Sequence, residues 1–271
     1  MRVFRLLLNF YLDASIHVAL AVYALVRVTY LKFSVPDTKN MSFVIFLCTL
    51  VMYNFIKYGS RAKAYIILKN TYEKWIQALS FMALGAALVF MAAFSIQQWL
   101  YLMILGVISL GYIIPFTNKG KSFRSYGIFK IHMVALVWAC TTVLLPFSEY
   151  PELLTRDIFI ECIQRFVFVL VAILPFEVRD LDIDGPYLIT LPRLVGIRNT
   201  KVLGGVLLMV FVGLEFFRSY LSWEIFGTSI LVALVYGFFL WRTREVQSHY
   251  YSALWVESVP LFWWGLLYAT L

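Results

Sequence analysis

Four carboxylates crowd into eight residues of an otherwise greasy chain. Glu177, Asp180, Asp182 and Asp184 all fall in "FEVRDLDIDGPYLITLPRLVGIRNTK", Phe176–Lys201. If the helix leading into this stretch continues through Asp184, then Glu177, Asp180 and Asp184 stand at i, i+3 and i+7 and share one face, while Asp182 points elsewhere. Gly185–Pro186 then breaks the helix. Carboxylates stacked on one stripe repel one another unless a cation sits among them, and an all-oxygen ligand set favours Mg²⁺ or Ca²⁺ over softer metals. A carboxylate-held Mg²⁺ beside Lys and Arg suits a diphosphate, because the metal spans phosphate oxygens and the cations complete the neutralisation. A diphosphate carrying an isoprenoid chain would also require a site open to lipid. The plainer alternative is a solvated acidic loop, neutralised by Arg179, Arg193 and Arg198 as ordinary ion pairs. Acids near membrane depth favour function.

The elements that must position these acids are membrane helices. The chain has 271 residues, is 62% hydrophobic and 14% charged, and has a mean hydropathy of +0.82. Apolar runs follow one another to the last residue, which predicts an all-α polytopic membrane protein in a single domain, 1–271. The weak alternation of a membrane β-barrel is absent. Nine spans are expected, at about 8–31, 41–56, 76–95, 99–117, 127–147, 157–176, 201–217, 223–241 and 252–271. The first apolar stretch is too long for a signal core and has no small-residue cleavage site, so it reads as the first span.

Loop charge alternates. One set of loops carries Lys57, Arg61, Lys63, Lys69 and Lys74, then Lys119, Lys121, Arg124 and Lys130, then Arg179, Arg193, Arg198 and Lys201, then Arg242 and Arg244. The other set has only Lys32, Lys39, Arg156 and Arg218, diluted by Asp37, Glu149, Glu152 and Glu224. Basic loops stay in the cytoplasm. The N-terminus is therefore expected inside and the C-terminus outside, with a cavity opening to the cytoplasmic side, in a bacterial inner membrane. The net charge of +8 points to anionic lipid or an anionic substrate rather than to nucleic acid.

"VRDLDIDGPYLITLPRLVG" resembles the second Asp-rich motif of the UbiA-type intramembrane prenyltransferases, roughly R-D-I-E-x-D followed by T-L-P-x-x-x-G. Arg179, Asp180, Asp184, Thr190, Leu191, Pro192 and Gly196 match in order and spacing. Nine spans, an inside N-terminus and this motif between spans six and seven also fit that family. The motif covers about 20 residues, the architecture the whole chain. The resemblance implies Mg²⁺ held by Asp180 and Asp184, with Glu177 at an often acidic position. It also implies a polyprenyl diphosphate donor that ionises to an allylic cation, and a small acceptor that captures it. "GYIIPFTNKGKSFR" falls loosely where the family has a Tyr/Pro/Lys-rich loop, which makes Lys119, Lys121 and Arg124 candidate donor-binding residues.

The first Asp-rich motif of that family should follow span two, roughly as N-D-x-x-D-x-x-x-D. Here the stretch is "YNFIKYGSRA": Asn54 matches, the acids do not, and no carboxylate lies between Asp37 and Glu73. Two readings stay open. Lys57 and Arg61 could replace the missing metal, since a fixed ammonium neutralises a phosphate oxygen. Alternatively Lys57 could pair with Asp180 or Asp184 in a non-catalytic lipid-binding or scaffold protein.

The remaining residues carry blander expectations. Cys48, Cys140 and Cys162 lack CxxC spacing and read as small buried hydrophobes. His17 reads as a helix-packing hydrogen bond, and His132 and His249 show no pattern. Arg165, in span six, must face the bundle interior or snorkel.

Overall fold

The structure, a computed structural model, describes residues 2–59, 70–113, 127–150, 153–181 and 188–271. The described residues form ten α-helices and no strand. They are α1 (Arg2–Asp13), α2 (Ile16–Phe33), α3 (Met41–Tyr58), α4 (Thr71–Met91) and α5 (Ile96–Ile113), then α6 (Gly127–Ala139), α7 (Arg156–Arg179), α8 (Leu191–Gly213), α9 (Trp223–Arg242) and α10 (Val259–Thr270). Six helical segments are long and apolar enough to cross a membrane: Ile16–Phe33, Thr38–Tyr58, Thr71–Met91, Arg156–Arg179, Leu191–Phe217 and Trp223–Arg242. Ile96–Tyr112 of α5 is a shorter apolar stretch, α6 is extended by a π-helical turn over Cys140–Leu144, and a π-helical turn at Tyr251–Val256 leads into α10.

The expected first span is two helices. α1 stops at Asp13 and α2 begins at Ile16 because Ser15 adopts a left-handed conformation, φ 58°. Val3, Phe4, Leu6 and Leu7 of α1 are exposed, and with Arg5 beside them this short helix has the make-up of one that lies along a membrane surface. At the break the Phe10 and Leu12 carbonyls accept from the Ala14 and Ser15 N–H groups (2.8 and 3.1 Å), and the remaining bonding capacity of the helix end must be met elsewhere.

α2 and α7 form the middle of the bundle. Ala19, Ala21 and Ala24 on α2 are fully buried, which lets neighbouring helices approach closely. One core cluster gathers Phe168, Phe211, Tyr236 and Trp263 from α7, α8, α9 and α10; a second packs Val22 and Val26 of α2 against Ile45 of α3 and Met91 of α4. Val89, Met209 and Leu234 face outward, as lipid-facing side chains would.

Two glycines show what positions the segment after α7. A Cβ at Gly127 would lie 2.0 Å from the carbonyl oxygen of Ile189, so the start of α6 presses directly on the backbone ahead of α8. Gly196 interrupts α8 with φ 81°, and nothing lies near where its Cβ would be. Glycine is needed there for its backbone conformation, not for space. The Thr190-Leu191-Pro192…Gly196 pattern thus spells a helix start with proline in its first turn, one short turn, and a left-handed kink.

Candidate functional site

α7 does not continue through Asp184. It ends at Arg179, and Asp180 caps it with φ −85° and ψ 3°. Arg193, from the first turn of α8, donates to the carbonyls of Leu181 (2.6 Å) and Leu188 (3.0 Å). The Leu181 carbonyl is thereby committed to α8 instead of a further turn of α7. Asp182 and Asp184 lie outside the described residues, as do Arg61, Lys119, Lys121 and Arg124.

The two described acids of the stretch go separate ways. Glu177, 2% exposed, faces α6, where its Oε1 lies 2.8 Å from Nζ of Lys130. Asp180 pairs with its neighbour Arg179 through both oxygens, at 2.7 and 3.1 Å. Each carboxylate already faces a fixed cation, and no group of three His, Cys, Asp or Glu that could hold a metal occurs among the described residues. Glu177 and Asp180 thus meet separate cations, and Asp184, the other expected ligand, lies outside the described residues.

"YNFIKY" has a job that its spacing conceals. Asn54, Lys57 and Tyr58 stand at i, i+3 and i+4 on the last turns of α3, on one face. Lys57 Nζ donates to the Leu12 carbonyl (3.3 Å), Tyr58 Oη to the Asp13 carbonyl (3.1 Å), and Asn54 Nδ2 to the Ala14 carbonyl (3.0 Å). Three successive carbonyls at the α1–α2 break each accept from a side chain of α3, the Leu12 carbonyl also from the Ser15 N–H (3.1 Å), with the lysine at the negative end of the α1 dipole. Asn54 also reaches Ser80 of α4 (2.9 Å) and is buried.

Lys57 has a second face. It lines a cavity of about 310 Å³ enclosed by α2, α3, α6, α7, α9 and the turn before α10. Asp13, Arg179, His249 and Glu257 also line it, and Glu257 and Asp13 are the carboxylates whose fields act on Lys57. Of the two acids weighed as partners for Lys57, Asp180 is not among the lining residues and Asp184 lies outside the described residues; Glu257 lines the cavity instead. The remaining wall is aromatic and aliphatic, with Tyr53, Trp138, Phe176 and Tyr236.

Glu257 and His249 were not foreseen as site residues. A lone acid inside the expected last span, just after a π-helical turn, is the signal that could have found Glu257, since ionisable groups at membrane depth and π-bulges both mark function. His249 has no such signal. His17 matches its packing expectation: Tyr11 Oη lies 2.6 Å from its Nδ1, and its Nε2 lies 2.9 Å from the Leu254 carbonyl.

A second polar concentration lies at the opposite end of the helices. Lys32 and Arg218, expected in outer loops, are buried there beside Glu161, Arg165 and Glu215. Lys32 lies 2.7 Å from Glu161 and 3.1 Å from Glu215; Arg165 lies 2.8 Å from Glu161; Arg218 bridges both carboxylates. Gln164 and Ser229 donate to Glu215 (2.9 and 2.8 Å), and the Trp263 ring lies under both Lys32 and Arg165. Arg165 thus faces the interior, one of the two settings expected for it.

No protein-family model matches this chain, and comparison with curated proteins and with solved structures gives no match.

Proposed function

We propose that the chain takes an isoprenoid diphosphate into the cavity beside Lys57 and transfers the prenyl group to a small acceptor, in the manner of the UbiA-type enzymes its second motif resembles. The observation that carries this reading is the distribution of polarity in one cavity. Lys57 and Arg179 line it together with the carboxylates Asp13 and Glu257 and with Tyr53, Trp138, Phe176 and Tyr236. The two cations can meet an anionic head, the two acids a proton-releasing acceptor, and the rings an unsaturated hydrocarbon tail.

In that reaction the C1–O bond of the donor breaks and its electron pair leaves with the diphosphate. Lys57, and Arg179 through the Nη1 that it does not spend on Asp180, neutralise the departing oxygens. Lys57 spends one N–H on Leu12 and has two more to offer. Aromatic faces stabilise the allylic cation. The acceptor bonds to C1 and releases a proton, which Glu257 accepts. Because Glu177 and Asp180 face Lys130 and Arg179, charge neutralisation falls to the cations of the cavity. In the membrane, nine segments (α2 to α10) cross, with the Lys57 end toward the cytoplasm of a bacterial cell.

The pairing of Glu177 with Lys130 and of Asp180 with Arg179 favours a second reading, a lipid-binding protein without catalysis. Binding of farnesyl diphosphate to the protein in nanodiscs, and product formation with a panel of phenolic and hydroxylated acceptors, separate the two. Binding with turnover supports transfer, and binding without product supports the second reading. No binding across a full Mg²⁺ titration removes the diphosphate from both.

Orientation is tested by single cysteines. Ser60→Cys, Ser122→Cys and Asn199→Cys should resist an impermeant thiol reagent in intact cells, and Asp37→Cys and Tyr150→Cys should react; the reverse pattern inverts the topology.

A further inference from the structure

The cavity beside Lys57 has a neighbour. A second cavity, about 330 Å³, lies between α3, α4, α5 and α6. Its walls are apolar. The hydroxyls of Thr49 and Ser109, which line it, are turned back onto carbonyls of their own helices, Ile45 (2.7 Å) and Leu105 (2.8 Å). It reaches the bundle surface at Leu84 and Met103, 40% and 57% exposed. Two residues line both cavities, Tyr53 and Trp138. Their rings meet edge to face, with centroids 6.4 Å apart, and Trp138 Nε1 donates to Tyr53 Oη at 2.9 Å.

We propose that the Tyr53–Trp138 pair is the partition that sets how long a hydrocarbon chain the protein accepts. This rests on the isoprenoid reading for the identity of the chain. With the pair closed, the tail is confined to the first cavity. A dry cavity of about 150 Å³ holds one benzene-sized molecule, so 310 Å³ holds a tail of roughly ten to fifteen carbons. Joining the cavities about doubles the space and gives the tail a route toward lipid between α4 and α5. A single interhelical hydrogen bond is a weak latch within a membrane bundle. Ring packing supplies the rest of the barrier. Among the described residues the second cavity has no charged lining residue to hold a headgroup, so it suits a chain whose head is anchored elsewhere.

The test uses farnesol and farnesyl diphosphate carrying a terminal diazirine, with the labelled residues identified by mass spectrometry. In the wild type the chain end should label the first cavity, at Ala172, Ala253 or Val256. In Trp138→Ala it should label the second, at Cys48, Met52 or Met103, with about a tenfold gain in labelling there, equivalent to ~1.4 kcal/mol of preference. Tyr53→Phe keeps the ring and loses only the hydrogen bond, so it should show a smaller shift with the fold intact. Gly106→Phe fills the second cavity from an open position and should reverse the gain in the Trp138→Ala background. Equal labelling of the second cavity in wild type and Trp138→Ala overturns the partition, as does its absence from both. If the alcohol shows the shift and the diphosphate labels nothing, the partition stands and the diphosphate reading falls. If neither probe labels either cavity, both fall.

Discussion

The two polar regions of this bundle use the same kinds of residue to opposite ends. At one end, three cations and two carboxylates close on one another: Lys32, Glu161 and Arg165 have fully buried side chains, and Glu161 is held by all three cations. At the other, Lys57, Arg179, Asp13 and Glu257 stand around a space of about 310 Å³. A buried ion pair is tolerated only when its partners satisfy it. A cluster that satisfies itself is a clamp, and here it ties α2, α7, the turn after α8 and α9 into one body. Charges arranged around a void leave some of their bonding capacity for something else. On the proposed reading, ionisable residues at membrane depth divide into those that hold the helices together and those that meet a ligand, and the presence or absence of a cavity separates them.

Removing one member of each set should break the symmetry between them most sharply. Glu161→Gln strands Lys32, Arg165 and Arg218 around a single remaining carboxylate, and the loss of stability should be about 3–5 kcal/mol. Thermal unfolding in detergent should show it. Adding Arg165→Met removes one stranded cation and should recover part of the loss; if the double variant is less stable than the single one, the cluster is not held by charge balance.

Lys57→Ala is the counterpart at the cavity. Loss of a charge-assisted contact costs about 1.5–3 kcal/mol, roughly tenfold to over a hundredfold in affinity for farnesyl diphosphate. Because Lys57 also caps α1 through Leu12, Lys57→Gln, which can still donate to that carbonyl, is the better comparison. It should retain stability and lose donor affinity. Retained affinity in both variants would move the head-binding role away from Lys57.

Trp263→Leu tests the clamp more gently. It removes the ring beneath Lys32 and Arg165 and should cost about 0.5–2 kcal/mol for the cation–π contacts, beyond what the same substitution costs in a variant already lacking both cations. The smallest expected effect is that of Glu257→Gln on stability, within about 0.5 kcal/mol, together with loss of product formation. A large destabilisation there would place Glu257 with the clamp and make the two regions alike.

Helical character and the rhythm of the segments are legible in the sequence because lipid imposes them: every backbone polar group must be satisfied within its own helix, so each helix announces itself as an apolar run. The motif ahead of α8 is legible for a similar reason. Pro192 and Gly196 restrict or free the backbone locally, whatever surrounds them. Arg165 could be limited to the bundle interior or a snorkelling position because a lipid-facing charge is costly, and the structure puts it in the interior.

What lies between segments far apart in the chain was decided only by packing. The break at Ser15 hides inside an apolar run because nothing in "DASIH" forbids a continuous helix; the carbonyls beside it accept from α3, and that contact exists only when the two helices are side by side. Glu177 and Asp180 share a helical stripe in the sequence, yet α6 supplies Lys130 to the first, and the helix ends before the second. Lys32, Arg218 and Glu215 look like unremarkable charges at span ends until the fold places them on Glu161 and Arg165. Spacing along one helix determines which side chains share a face. Which neighbour that face meets, and whether the meeting leaves a gap or closes it, is a property of the assembled bundle.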